Sequence, residues 1–302
     1  MSAGVPAARV DQAPDTQATA RLLAERRAAA RRRRLLLQVL ENGVLVLVAI
    51  AILFPILWMV MTSFKPPVDV YKYTVIFTPT LDNFREVFGA RWRIGFKVAN
   101  SLVVAIGTVA IAMPMAVCAA YAFSRLEFRF KRGLFQWVLL TQFIPAVVIV
   151  LPFYLMFRNL GLLDTYVALI VVDLAIVLPY AIWTIKGFID AIPLETEEAA
   201  LVDGATRAQL IWDIVVPMAR PGILTAAIFC FILTWNEFLF ALILTRTKVV
   251  PLSVGIIGFR MERGDLWELI AATGIIITVP MLFFALAIQR HFTKGMNLGA
   301  VR

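Results

Sequence analysis

Asp173 and Glu237 are acids set inside apolar stretches, 165–185 and 221–245, that are otherwise free of charge. A carboxylate at the centre of a bilayer costs roughly 3 kcal/mol or more, so each must face protein or water. Asp173 lies eight residues in from Thr165, and Glu237 eight residues in from Thr245. At 1.5 Å per helical residue both sit about 12 Å below one membrane surface. Asn236, Gln142 and Trp235 could complete a polar lining. Two readings stand: a hydrated solute path, or hydrogen bonding between helices and, for Glu237, simple packing. A second group of acids falls in a polar loop, where Glu198-Ala199-Ala200 is followed by Asp203-Gly204-Ala205 and then Ile214-Val215-Val216-Pro217. Acids there offer charge-assisted bonds to arginines, and the small side chains let another surface come close. Such a loop either docks a partner or packs on its own bundle. Other chemistry is missing. No G-x-x-x-x-G-K-[ST] phosphate loop, H-E-x-x-H, G-x-S-x-G or His/Cys/Asp cluster occurs. Cys118 and Cys230 fall in apolar stretches, where a thiol behaves as a small hydrophobe. We therefore expect no catalytic, cofactor-binding or metal-binding residue and no enzyme activity on this chain.

The elements that must place these residues follow from composition. Of 302 residues, 61% are hydrophobic and 16% charged, the balance of a multi-spanning membrane protein. Charge-free runs of 23, 27, 25 and 21 residues begin after Glu41, Lys97, Arg132 and Glu268. Each exceeds the roughly 20 residues needed to cross a bilayer. With the two acid-bearing stretches they predict an all-α fold of six transmembrane helices, near 42–64, 98–123, 134–157, 165–185, 221–245 and 269–289. This divides the chain into a basic tail (1–41), a six-helix domain (42–290) containing the polar loop 186–220, and a C-terminal tail (291–302). Six spans leave both termini on one side, which carries 18 Lys and Arg against 11 opposite. That excess, led by Arg31-Arg32-Arg33-Arg34, places both termini and the 186–220 loop in the cytoplasm. The net charge of +9 then reflects topology and anionic lipid rather than nucleic acid.

Local signals shape the polar loop. Pro193 can start a helix, Glu195, Glu197 and Glu198 suit its early turns, and the helix should reach about Asp203. Gly204 supplies a left-handed stop. Thr206 with Gln209 forms a capping box for a second helix, Arg207 to about Val215. Pro217 and Pro221-Gly222 are expected to end it. Pro55, Pro114, Pro145, Pro152, Pro179 and Pro280 lie inside spans and should bend them. In the first polar loop, Leu81 to Phe88 reads as a short amphipathic helix that rests on the interface or caps the bundle. Residues 1–34 read as a flexible or loosely helical tail.

The Glu198-Ala199-Ala200, Asp203-Gly204-Ala205 and hydrophobic-Pro217 pattern resembles the cytoplasmic EAA loop of binding-protein-dependent ABC importer permeases. The likeness is to the maltose-type carbohydrate family, and to the smaller of its two permease subunits. Ala120 to Leu126, Asn159 to Thr165, Thr234 to Phe238 and Gln289 to Val301 resemble further family segments, so the likeness runs from about residue 45 to the end. It implies a permease subunit of an ATP-driven importer for a sugar or sugar derivative, forming half of the translocation pathway in a prokaryotic inner membrane. Residues 194–216 would be coupling helices in a cleft of a separate ATPase, with Glu198, Ala199, Ala200, Asp203, Gly204, Ala205 and Pro217 at that interface. Gly295, Leu298, Gly299 and Val301 of the tail would reach between two ATPase subunits. The implied partners are those two subunits, a second, non-identical permease, an extracytoplasmic solute-binding protein and membrane lipids. ATP and Mg would sit on the ATPases. An ion-coupled secondary transporter using Asp173 and Glu237 is the alternative, and it leaves the loop unexplained. Neither the solute nor whether this chain touches it is set by the sequence.

Overall fold

The computed structural model describes the backbone of residues 16–72, 74–260 and 264–299 and, within these, the side chains of 37–284 and of Leu286. Among the described residues every regular element is helical, as expected for an all-α fold. Five helices are long and apolar enough to cross a membrane, or six if one sharply bent pair counts as a single span.

The chain divides into two units, Met1–Trp58 and Met59–Arg302. The first is built from α1 (Thr16–Ser63), which continues without a break through the expected 41/42 boundary and past Pro55. Its apolar stretch runs from Leu37 to Ser63. The helix begins at Thr16, so the expected loose tail is helical over residues 16–34, and residues 1–15 lie outside the described part.

The second unit is organised around α3 (Ile94–Arg125), α6 (Tyr166–Asp190) and α9 (Val216–Trp235), which pack on one another. Their contacts are lined by small residues: Ala105, Ala112, Ala116 and Ala120 on α3, Ala168 and Ala181 on α6, and Ala226 on α9 are all fully buried. Without bulky side chains the backbones approach closely, which is how membrane helices gain packing energy where no hydrophobic drive separates protein from lipid. At Gly222 the fit is absolute, because a Cβ there would lie 2.3 Å from the Phe188 ring. The short helix α2 (Asp82–Phe88) appears where amphipathicity placed it and caps the bundle. Val87 is fully buried beside Ile94, Phe259 and Leu269, and Asn83 donates to the Ser63 and Lys65 carbonyls at 2.8 Å each.

Two expected spans are corrected. The stretch 134–157 is not one rod. α4 (Lys131–Leu140) and a 3-10 turn stop at Phe143, α5 (Ala146–Asn159) begins after Pro145, and the two halves are bent by 96°. Pro145 has no N–H to continue the ladder and holds Ile144 extended (φ −75°, ψ 121°). The fifth span is shifted towards the N-terminus, to Arg207–Trp235 instead of 221–245. It joins α8 (Arg207–Gln209), a π-helical stretch Leu210–Val215, and α9. Pro217 and Pro221 therefore do not end the second loop helix. Pro217 sits in the first turn of α9, where the carbonyl four residues back belongs to the wider π turn and its usual clash with the ring is relieved, and Pro221 lies inside α9. After Trp235 the chain breaks, and α10 (Leu239–Leu244) is a separate helix. α7 (Leu194–Val202), α11 (Leu252–Gly255) and α12 (Trp267–Gly299) complete the unit. The expected 291–302 tail is a helical continuation of α12 through Gly299, and Val301 lies outside the described residues.

At the end of the bundle away from α7, Asp164 (φ 59°) joins two loops. Its carboxylate accepts N–H bonds from Arg246, Thr247, Lys248 and Val249 at 3.0–3.1 Å. Burial opposes the charged form, but these four donors outweigh it and hold Asp164 at about 2. A depressed folded value means stability that is present above the ordinary 3.8 and lost as pH falls through about 2. Asp164→Asn should lower the melting temperature of the detergent-solubilised protein at neutral pH. The gap to wild type should close as the pH is taken from 4 towards 2, followed by tryptophan fluorescence.

Candidate functional site

α7 and α8 form a helical knob at one end of the bundle, built by local signals. Pro193 caps α7 in an extended conformation (ψ 135°), and Glu195 and Glu197 occupy the first turn, where they meet the positive end of the helix dipole. The chain reverses at Gly204 (φ 88°), with Gly204 N–H bonding Leu201 O and Ala205 N–H bonding Ala200 O. A Cβ at Gly204 would meet no atom within 4 Å, so glycine is required there by backbone conformation alone. The Thr206 capping box is complete: Gln209 N–H donates to Thr206 Oγ1 at 3.3 Å, and Thr206 N–H to Gln209 Oε1 at 2.9 Å.

The knob presents an acidic, open face. Glu198, Ala199, Asp203 and Gly204 are exposed, Ala205 is half-buried, and Ala200 is buried. A cleft of about 350 Å³ opens between the two helices, lined by Ala200, Asp203, Gly204, Ala205, Gln209, Asp213 and Ile214. Its charged groups are both carboxylates. Pro217 is exposed but does not line it.

What fixes the knob to the bundle escaped the sequence reading. Arg125, the last residue of α3, donates through Nε to Glu197 Oε1 at 2.7 Å, and the two side chains are 11% and 5% exposed. Its Nη2 donates to the Ile189 and Ile192 carbonyls at 2.8 and 2.7 Å, one in the last turn of α6 and one in the turn that follows it. Tyr121, one turn back on α3, lies beside the Glu197 carboxylate. Beside it, Asp190 accepts from Lys186 at 2.6 Å and from the Ser124 hydroxyl. The available signal was an arginine closing an apolar span and a third acid next to the Glu198 triplet.

The intramembrane polar residues separate into three places. Asp173 and Glu237 do meet, in an enclosed cavity of about 10 Å³ shared with Ser101, Thr234, Ala241 and Pro251. That holds about one water, and Asp173 is 4% exposed, so the pair lines no open channel here. Asn236 turns away and donates to Ile232 O at 2.7 Å. Gln142 donates to Ile176 O at 2.9 Å and lines a different cavity, about 530 Å³, at the bend between α4 and α5. Trp235 donates to Ile277 O at 3.1 Å.

Glu237 also explains why the fifth span stops early. Its carboxylate accepts from Phe240 N–H at 2.8 Å and Ala241 N–H at 2.9 Å, capping α10, while Ser253 Oγ donates to its carbonyl at 2.6 Å. The depth inferred from an unbroken helix to Thr245 therefore does not hold, since six-residue α10 starts at Leu239. Glu237→Ala should cost about 1 kcal/mol through the lost cap, and Glu237→Gln, which keeps an acceptor, clearly less. Thermal unfolding of both variants in detergent measures the difference.

Comparison with known proteins identifies what the chain is similar to. Residues 112–298 match the family described as binding-protein-dependent transport system inner membrane component. The chain is 37% identical over 254 residues to the trehalose transport system permease protein SugB of Mycobacterium tuberculosis, covering 83% of this chain and 92% of that one. It is 31% identical over 268 residues to the diacetylchitobiose uptake system permease protein DasC of Streptomyces coelicolor, covering 88% and 97%. Its fold matches a chain of a bacterial ABC transporter involved in alginate import, with a TM-score of 0.75 at 22% identity over 86% of this chain and 98% of that one.

Proposed function

The chain belongs to the family of binding-protein-dependent transport system inner membrane components, and we propose that within it this permease carries a sugar or sugar derivative. It is a multi-pass membrane transport subunit, not an enzyme, and works with a solute-binding protein. The sugar assignment is supported by the relatives, whose names specify trehalose and diacetylchitobiose.

In our reading both termini and the α7–α8 knob face the cytoplasm, as the Lys and Arg distribution favours. The knob docks in a cleft of a separate ATPase, and the tail residues Gly295, Leu298, Gly299 and Val301 reach between two such subunits. ATP and Mg bind there. A second, non-identical permease supplies the other half of the pathway. The observation that carries the docking reading is the exposed Glu198–Ala199 face beside a cleft whose charged groups are Asp203 and Asp213. A basic partner surface would form charge-assisted bonds with these acids. The ion-coupled alternative is weakened because Asp173 is buried and the Glu237 carboxylate is engaged in capping α10.

The test is co-expression of the chain with its ATPase, second permease and binding protein, followed by purification and reconstitution. Solute uptake should require ATP inside the vesicles' ATPase-bearing face and should persist when ion gradients are collapsed. Glu198→Lys should lower both ATPase recovery and uptake by about tenfold, a loss of about 1.4 kcal/mol at the interface. Uptake driven by an ion gradient without ATPase would overturn the proposal.

A further inference from the structure

We propose that Arg125 and Glu197 are positioning residues that carry displacement of the knob into α3 and α6, beside the covalent route through α8 and α9. The inference rests on the reading that an ATPase drives the knob.

α7 has two covalent attachments. One is the short turn Ala191–Pro193 from α6, and the other is the Gly204 turn leading to α8. Neither reaches α3. The guanidinium does: one side chain holds the end of its own helix, a carbonyl in the last turn of α6, a carbonyl of the turn after it, and the first turn of α7. With Arg125 11% and Glu197 5% exposed, little water competes for these bonds, and a displacement of α7 has to move the guanidinium or break the pair.

The neighbouring acids divide the work. Glu197 is buried and faces the bundle, whereas Glu198 is exposed and faces outward. About 100° of helix rotation separates them, so a push received on one face of α7 is passed on from the other. Lysine cannot replace Arg125 in this role. It keeps the charge but lacks the planar fork that reaches a carboxylate and two carbonyls together.

Glu197→Gln and Arg125→Lys, in the full complex reconstituted with binding protein, test the inference by the number of solute molecules moved per ATP hydrolysed. A loss of protein stability lowers transport and hydrolysis together and leaves that ratio unchanged. Broken transmission lowers transport more than hydrolysis. The ratio should fall by about tenfold in both variants, a typical coupling between sites, while the ATPase still co-purifies. A wild-type ratio in either variant overturns the inference, and so does loss of both variants from the membrane, which would make the pair a folding element only. Failure of the ATPase to co-purify with the wild-type chain would instead overturn the docking reading.

Discussion

The knob depends on one guanidinium. Arg125 has five donors and no acceptor, two carbonyls where α6 turns towards α7 accept from it, and α7 turns a carboxylate towards the bundle. Each of these would be costly to bury alone. Removing one member of such a buried pair typically costs about 3–5 kcal/mol, because the other is left uncompensated. Together they fix where α7 lies, and therefore which way Glu198 points and from where α8 sets out.

From that anchor a continuous helix leads into the membrane. Between the Thr206 cap and Trp235 the backbone runs 29 residues, roughly 43 Å at α-helical rise, without a loop to absorb movement. It ends at Asn236–Phe238, where Glu237 caps the next helix and meets Asp173. The buried acids thus belong to a junction between helices, at the opposite end of a rod from the knob. The small residues along α3, α6 and α9 keep that rod close to its neighbours, so its displacement is felt across the core.

How much of this was legible depended on distance along the chain. The Pro193 start, the Gly204 reversal and the Thr206–Gln209 box each use residues within a few positions of one another, and all three stand as read. Charge-free runs located α3 and the apolar start of α12, and an apolar stretch interrupted only by Asp173 located α6, because hydropathy is a property of contiguous sequence. The fifth span was misplaced because 221–245 is apolar on both sides of Asn236 and Glu237, and hydropathy cannot register a carboxylate turned back onto backbone N–H groups two turns from the end. Pro145 announced a bend, but a proline reads alike in a gentle kink and in a 96° break. Arg125 and Glu197 lie 72 residues apart, and no local pattern pairs them until the ends of α3 and α6 are brought side by side. The Asp164 junction with 246–249 was hidden for the same reason.

The π-helical stretch Leu210–Val215 sets the relative phase of the two parts of this rod. One additional residue in a turn rotates everything beyond it by about 100°. On the knob side, Gln209 and Asp213 border the cleft, and beyond the π turn Ala219, Ala226 and Cys230 share the face buried in the core. Closing the π turn into regular α-helix by deleting a single residue would leave both sequences intact and still turn one face away from its neighbour. The same joint lets the two faces drift apart in evolution: the exposed surface of the knob can be rewritten while the face against α3 and α6 keeps its alanines.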